Sequence, residues 1–123
     1  MVLGIGTDIV EVQRVRKALE HARFKERVYT QGEIDVCEKR GMQAAASYAA
    51  RFSAKEAVLK AFGTGLRGGT LQDIEILPDE LGCPHVRLSG YYAELAAQRG
   101  VKQEHVSLSH TKEYATAQCV MEG

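Results

Sequence analysis

MQAAASYAARFSAKEAVLKAFGTG (Met42–Gly65) carries the strongest helical signal in the chain. Its alanines make it a strong helix former. The Gly63-Thr64-Gly65 that follows Phe62 is the glycine signal on which a helix closes. The spacing predicts a long helix over 42–62. At the helical angular step, Ala54, Ala57, Val58, Ala61 and Phe62 fall on one apolar arc, and Glu56 and Lys60 lie almost opposite it. The pattern predicts a helix buried along one side, with a charged pair on its free side and Arg51 and Lys55 along the flank.

Outward from that helix the periods change. VLGIGTDI (Val2–Ile9) alternates: Leu3, Ile5, Thr7 and Ile9 share one face, and Gly4, Gly6 and Asp8 share the other. It reads as a strand with one nearly bare face ending in a carboxylate, and bare strand positions mark close approach by another backbone or a ligand. A helix is predicted over 10–22 from Val12, Val15, Leu19 and Ala22. FKERVYT and QGEIDVCEKR read as short helical pieces, with Gly32 and Gly41 as punctuation. Beyond the long helix, LQDIEIL (Leu71–Leu77), the turn-like PDELG and the following PHVRLSG predict a hairpin over 71–89, with Ile74 and Ile76 on one face. GYYAELAAQRG (Gly90–Gly100) reads as a short helix. HVSLSH (His105–His110) and YATAQCVM (Tyr114–Met121) read as two strands joined by a tight turn at 111–113. The expected fold class is α+β: an antiparallel or mixed sheet packed against a long helix, in a single domain over 1–123.

Composition bounds the function. The chain has 123 residues, with 16 Lys and Arg against 16 Asp and Glu, so it lacks the basic excess of a general nucleic-acid binder. No apolar run reaches the roughly 18 residues of a membrane span. MVLGIGTD has no basic start and meets an acid at Asp8, which is not the pattern of a signal peptide. Three widely spaced cysteines, Cys37, Cys83 and Cys119, fit a reducing cytoplasm better than a disulfide framework or a zinc site.

Each candidate for chemistry has a bland reading beside the sharp one. Asp8 and Glu11 fit a capping box at a helix start; alternatively Asp8 offers a carboxylate to a hard cation beside glycines that leave room for a bulky ligand. Glu56 and Lys60 are either a solvated i,i+4 pair or a carboxylate and an ammonium projecting together from a rigid helix, which suits a Mg²⁺–phosphate pair. Gly63 and Gly65 either end the helix or help cradle a phosphate through backbone N–H groups. They match neither a P-loop nor a dinucleotide fingerprint. His110 stands at a strand end beside a turn. Six basic residues against three acids between Glu11 and Arg27 form a local positive patch, either solvated or facing an acidic partner.

GIGTDIVEVQRV, RFSAKEAVLKAFGTGL some forty residues later, and SLSHTKEYATAQCV together resemble the holo-acyl-carrier-protein synthases, the small bacterial type of 4′-phosphopantetheinyl transferase. The resemblance runs end to end. It implies transfer of phosphopantetheine from coenzyme A to a serine hydroxyl of apo acyl carrier protein, with adenosine 3′,5′-bisphosphate as by-product, in fatty acid biosynthesis. It implies Mg²⁺ held by Asp8 and Glu56, Lys60 on the pyrophosphate, Arg51 and His110 lining the coenzyme A site, Arg14 and Arg23 meeting the acidic helix of the carrier protein, and a homotrimer with active sites between subunits. Similar sequences often carry a basic residue where this chain has Cys83, between Gly82 and Pro84. A metal-bound hydroxide, Glu56 or a group of the carrier protein would each serve to take the serine proton. The rival class is a non-catalytic oligomeric module that binds a nucleotide or an acidic partner.

Overall fold

The computed structural model describes residues 1–123. Strand β1 spans Val2–Glu11 and is followed by three short helices: α1 (Val12–Ala18), α2 (Ala22–Val28) and α3 (Gln31–Glu38). A 3-10 turn over Gly41–Gln43 leads into the long helix α4 (Ala44–Phe62). The hairpin strands are β2 (Ile74–Pro78) and β3 (Pro84–Leu88); helix α5 (Gly90–Gln98), β4 (Gln103–His110) and β5 (Tyr114–Glu122) complete the chain. The fold is α+β, as expected, and both sheets are wholly antiparallel. One has the order β1-β5-β4, and the other is the β2-β3 hairpin alone.

The bare face of β1 is explained by helix α4. A Cβ on Gly6 would collide with the carbonyl oxygen of Ala57, and one on Gly4 with that of Ala61. Ala115, Ala117 and Cys119 of β5 are buried along with Ala54 and Ala57 of α4. Small residues on both sides let helix and sheet approach closely.

Several expectations need correction. First, the helix predicted over 10–22 is shorter at both ends, because β1 keeps its antiparallel ladder with β5 as far as Glu11 opposite Tyr114. Its first turn is fixed by the Val12 N–H donating to the Glu113 carbonyl at 2.8 Å, and α2 is a separate helix. Second, α4 is buried on nearly every side. Helices α1–α3 cover one flank, where Val12, Val15, Tyr29, Cys37 and Tyr48 form a core. The hairpin and α5 cover the other, where Val58, Phe62, Ile74, Ile76, Tyr92 and Met121 form a second. Third, Gly32 lies inside α3, and Leu71–Asp73 form a 3-10 turn rather than the start of a strand. The expected end of α4 holds: Gly63 closes it in the left-handed conformation at φ 78°.

Candidate active site

Asp8 lies inside β1, four residues ahead of the first helix, so it caps nothing; the residue at the N-cap is Glu11, and it makes no side-chain cap bond. The capping reading of Asp8 therefore falls. Its main chain is fixed by Thr116, whose hydroxyl donates to the Asp8 carbonyl at 2.7 Å. Its carboxylate points across to α4. The Ser53 hydroxyl donates to Oδ2 at 3.0 Å, and the Lys60 ammonium lies 3.3 Å from Oδ1 while also donating to the Thr7 carbonyl at 3.0 Å. Asp8 is thus half-buried between strand and helix, and Lys60 keeps its ammonium open to solvent.

Glu56 sits on the same side of α4. Burial, and then the nearby charge of Asp8, hold its carboxyl above the usual carboxylate range, and Lys60 offsets part of this. Lys60 hydrogen-bonds to β1, not to Glu56 one turn back, so the solvated-pair reading does not describe it. Two mutually repelling acids with an ammonium alongside form a place where added positive charge is favourable. Nowhere do three or more His, Cys, Asp or Glu side chains gather so as to hold a metal by themselves. The two carboxylates are hard oxygen donors, the type that suits a divalent cation whose remaining ligands come from elsewhere.

Arg51 and His110 meet elsewhere, in a cleft of about 420 Å³ whose walls include Arg40, Ser47, Pro78 and Pro84. None of Asp8, Glu56 and Lys60 lines it. Arg51 is buried; it donates to the Ser47 hydroxyl at 2.8 Å and to the Ile76 carbonyl at 3.2 Å. Gly63 and Gly65 occupy the exposed loop after α4, and Tyr92 donates to the Gly65 carbonyl at 3.3 Å. Arg14 and Arg23 are exposed on α1 and α2. Lys55, expected on the flank of the long helix, is instead fully buried against Glu33.

The chain matches the family model of the 4′-phosphopantetheinyl transferase superfamily over residues 4–119. It belongs to that superfamily. The holo-[acyl-carrier-protein] synthase of Ruminiclostridium cellulolyticum is 48% identical over 124 residues, covering 98% of this chain and 92% of the relative. The crystal structure of the Neisseria meningitidis holo-[acyl-carrier-protein] synthase superposes with a TM-score of 0.91 at 32% identity, covering all of both chains. That of the Bacillus anthracis enzyme in complex with CoA (3′,5′-ADP) gives 0.84 at 38% identity, over 100% of this chain and 98% of the other. The chain is accordingly an enzyme, a transferase of the holo-acyl-carrier-protein synthase type. Within this phosphopantetheinyl transferase, three further polar side chains stand beside the candidate residues. Ser53 stands one helical turn before Glu56, and its i,i+3 spacing was the signal that could have found it. Arg40 and Gln43, which join Arg51 and His110 in the cleft, carry no such signal, because only the tertiary fold brings the start of α4 to the end of β4.

Proposed function

We propose that this transferase moves the 4′-phosphopantetheine group of coenzyme A onto a serine hydroxyl of apo acyl carrier protein, releasing adenosine 3′,5′-bisphosphate, in fatty acid biosynthesis. The observation that carries this reading is the junction of Asp8 with Glu56 and Lys60, brought together from a strand and a helix 52 residues apart in sequence for the Asp8–Lys60 bond. In the reaction, the serine hydroxyl gives up its proton to a base, and its oxygen forms a bond to the phosphorus carrying the pantetheine arm. The bond from that phosphorus to the oxygen of the departing bisphosphate breaks. Such a displacement needs charge neutralised and groups held in line more than it needs covalent help. Asp8 and Glu56 would hold Mg²⁺, with Mn²⁺ as a substitute, and the ion when bound offsets the charge of the diphosphate. Lys60, bonded to β1 yet open to solvent, places a fixed positive charge where phosphate oxygens gain negative charge.

Arg51 and His110 line the cleft read as part of the coenzyme A site, and the loop at Gly63 and Gly65 is close in sequence to Lys60. The cleft lies apart from Asp8 and Glu56 within one chain. The outer face of the sheet is uncovered, with Ile5 70% and Ile9 67% exposed. Both features support self-association with sites between subunits, and the reading of a homotrimer rests on the family resemblance. Arg14 and Arg23 are read as the docking surface for the acidic carrier protein. Residues 1–123 are read as one transferase domain. Three unpaired cysteines support a cytoplasmic place of action, and no helix is long and apolar enough to cross a membrane. The test is incubation with coenzyme A, Mg²⁺ and apo carrier protein. The carrier is expected to gain the mass of one phosphopantetheine, and no gain alongside an active control would favour a different carrier as the acceptor.

A further inference from the structure

We propose that Lys55 and Glu33 are a positioning pair that sets the width of the Arg51–His110 cleft by fastening strand β2 to helix α4. The proposal rests on reading that cleft as part of the coenzyme A site. Both side chains are wholly buried, with Nζ 2.8 Å from Oε1. Lys55 commits its three protons to Glu33, the Leu71 carbonyl at 2.9 Å and the Ile74 carbonyl at 2.6 Å. Glu33 also accepts from the backbone N–H of Thr30 at 2.9 Å and of Ile76 at 2.8 Å. Arg51 donates to the carbonyl of that same Ile76.

Strand β2 pairs with β3 alone, so its other edge would leave buried backbone groups without partners. Side chains stand where a third strand would be. Lys55 takes the Ile74 carbonyl, Glu33 the Ile76 N–H and Arg51 the Ile76 carbonyl. Apolar packing alone would hold the helix against the strand without fixing how far one slides along the other. Directed bonds to named backbone atoms fix it. One wall of the cleft is α4, through Ser47, Ala50 and Arg51, and another is the hairpin, through Pro78, Gly82 and Pro84. The spacing of those walls is the spacing that Lys55 and Glu33 set. A buried ion pair is weak ground for claiming stability, since an apolar replacement of similar volume is often neutral. Its use here is geometric.

The experiment compares the single variant Lys55→Met with the charge-balanced double variant Glu33→Gln/Lys55→Met, using Arg51→Ala as the control for the cleft. Melting temperature, kcat, KM for coenzyme A and KM for carrier protein are measured. The double variant is expected to fold and to show a KM for coenzyme A raised about tenfold or more, because a small misplacement of binding walls is costly. KM for carrier protein should stay at the wild-type value. A folded double variant with wild-type KM for coenzyme A would overturn the proposal, as would failure of both variants to fold, which would make the pair a folding element only. If Arg51→Ala leaves KM for coenzyme A unchanged while wild type turns over, the cleft reading fails and the positioning role falls with it. If Arg51→Ala raises KM and the double variant does not, only the positioning role falls.

Discussion

Lys60 Nζ lies 3.3 Å from Asp8 Oδ1, joining the strand that opens the chain to the last turn of its longest helix. With Lys60 more than half exposed, the contact adds little to stability, on the order of 1 kcal/mol at most. Its importance is that it holds an ammonium beside a carboxylate. Asp8→Asn is therefore expected to lower kcat by about a hundredfold or more, with a melting temperature close to wild type. Steady-state assay and calorimetry on one preparation check both halves, and severe unfolding would return Asp8 to a structural role.

Glu56 gives the opposite sign in stability. Burial first, and then Asp8, raise its folded pKa above the unfolded value. Between the ordinary carboxylate range and that raised value, the folded state binds more protons than the unfolded one. Stability is therefore lost as pH rises through this window. Glu56→Gln should raise the melting temperature at neutral pH, and the gain should shrink as pH falls below the ordinary carboxylate range. The same variant should lose turnover. A melting temperature lower than wild type at neutral pH would contradict the assigned strain.

Gly6→Ala asks for a methyl group where the Ala57 carbonyl oxygen already lies. Backbone cannot rotate aside as a side chain can. A loss of about 2 kcal/mol or more is expected, together with reduced kcat, because moving β1 moves Asp8. Denaturant titration measures the first and enzyme assay the second.

Arg14 is exposed on α1. Arg14→Glu should raise KM for an acidic carrier protein by about tenfold at low salt and leave KM for coenzyme A alone. The effect should fade as ionic strength rises. An unchanged KM at low salt would remove α1 from the docking surface.

Of the three thiols, only that of Cys83 is exposed. Burial pushes Cys37 upward and Cys119 up to about 12, so both stay protonated and unreactive. Mass spectrometry after brief alkylation of the native protein should show one modification, on Cys83, and three after denaturation.

Residues set by a local rule were legible in the sequence. Gly63 ends α4, Ile74 and Ile76 share the buried face of β2, and the bare side of β1 meets another backbone. Asp8, Glu56 and Lys60 were legible as types and spacing, and Asp8 meets the other two only through the fold. Tertiary structure decided what local pattern could not. Lys55 reads as a charge on the flank of the helix until Glu33 and two carbonyls from distant segments enclose it. Residues 10 and 11 fit a helix by period, yet a ladder to β5, more than a hundred residues on, keeps them in a strand.

The contact of Gly4 and Gly6 with α4 acts as a mechanical stop. No rotamer stands between strand and helix there, so the seat of Asp8 against Ser53 and Lys60 is inherited from main chain pressed on main chain. Repacking either flanking core should therefore move the melting point long before it moves the reacting groups. Outside the small residues where strand and helix touch, the apolar cores can change while the chemistry stays in register.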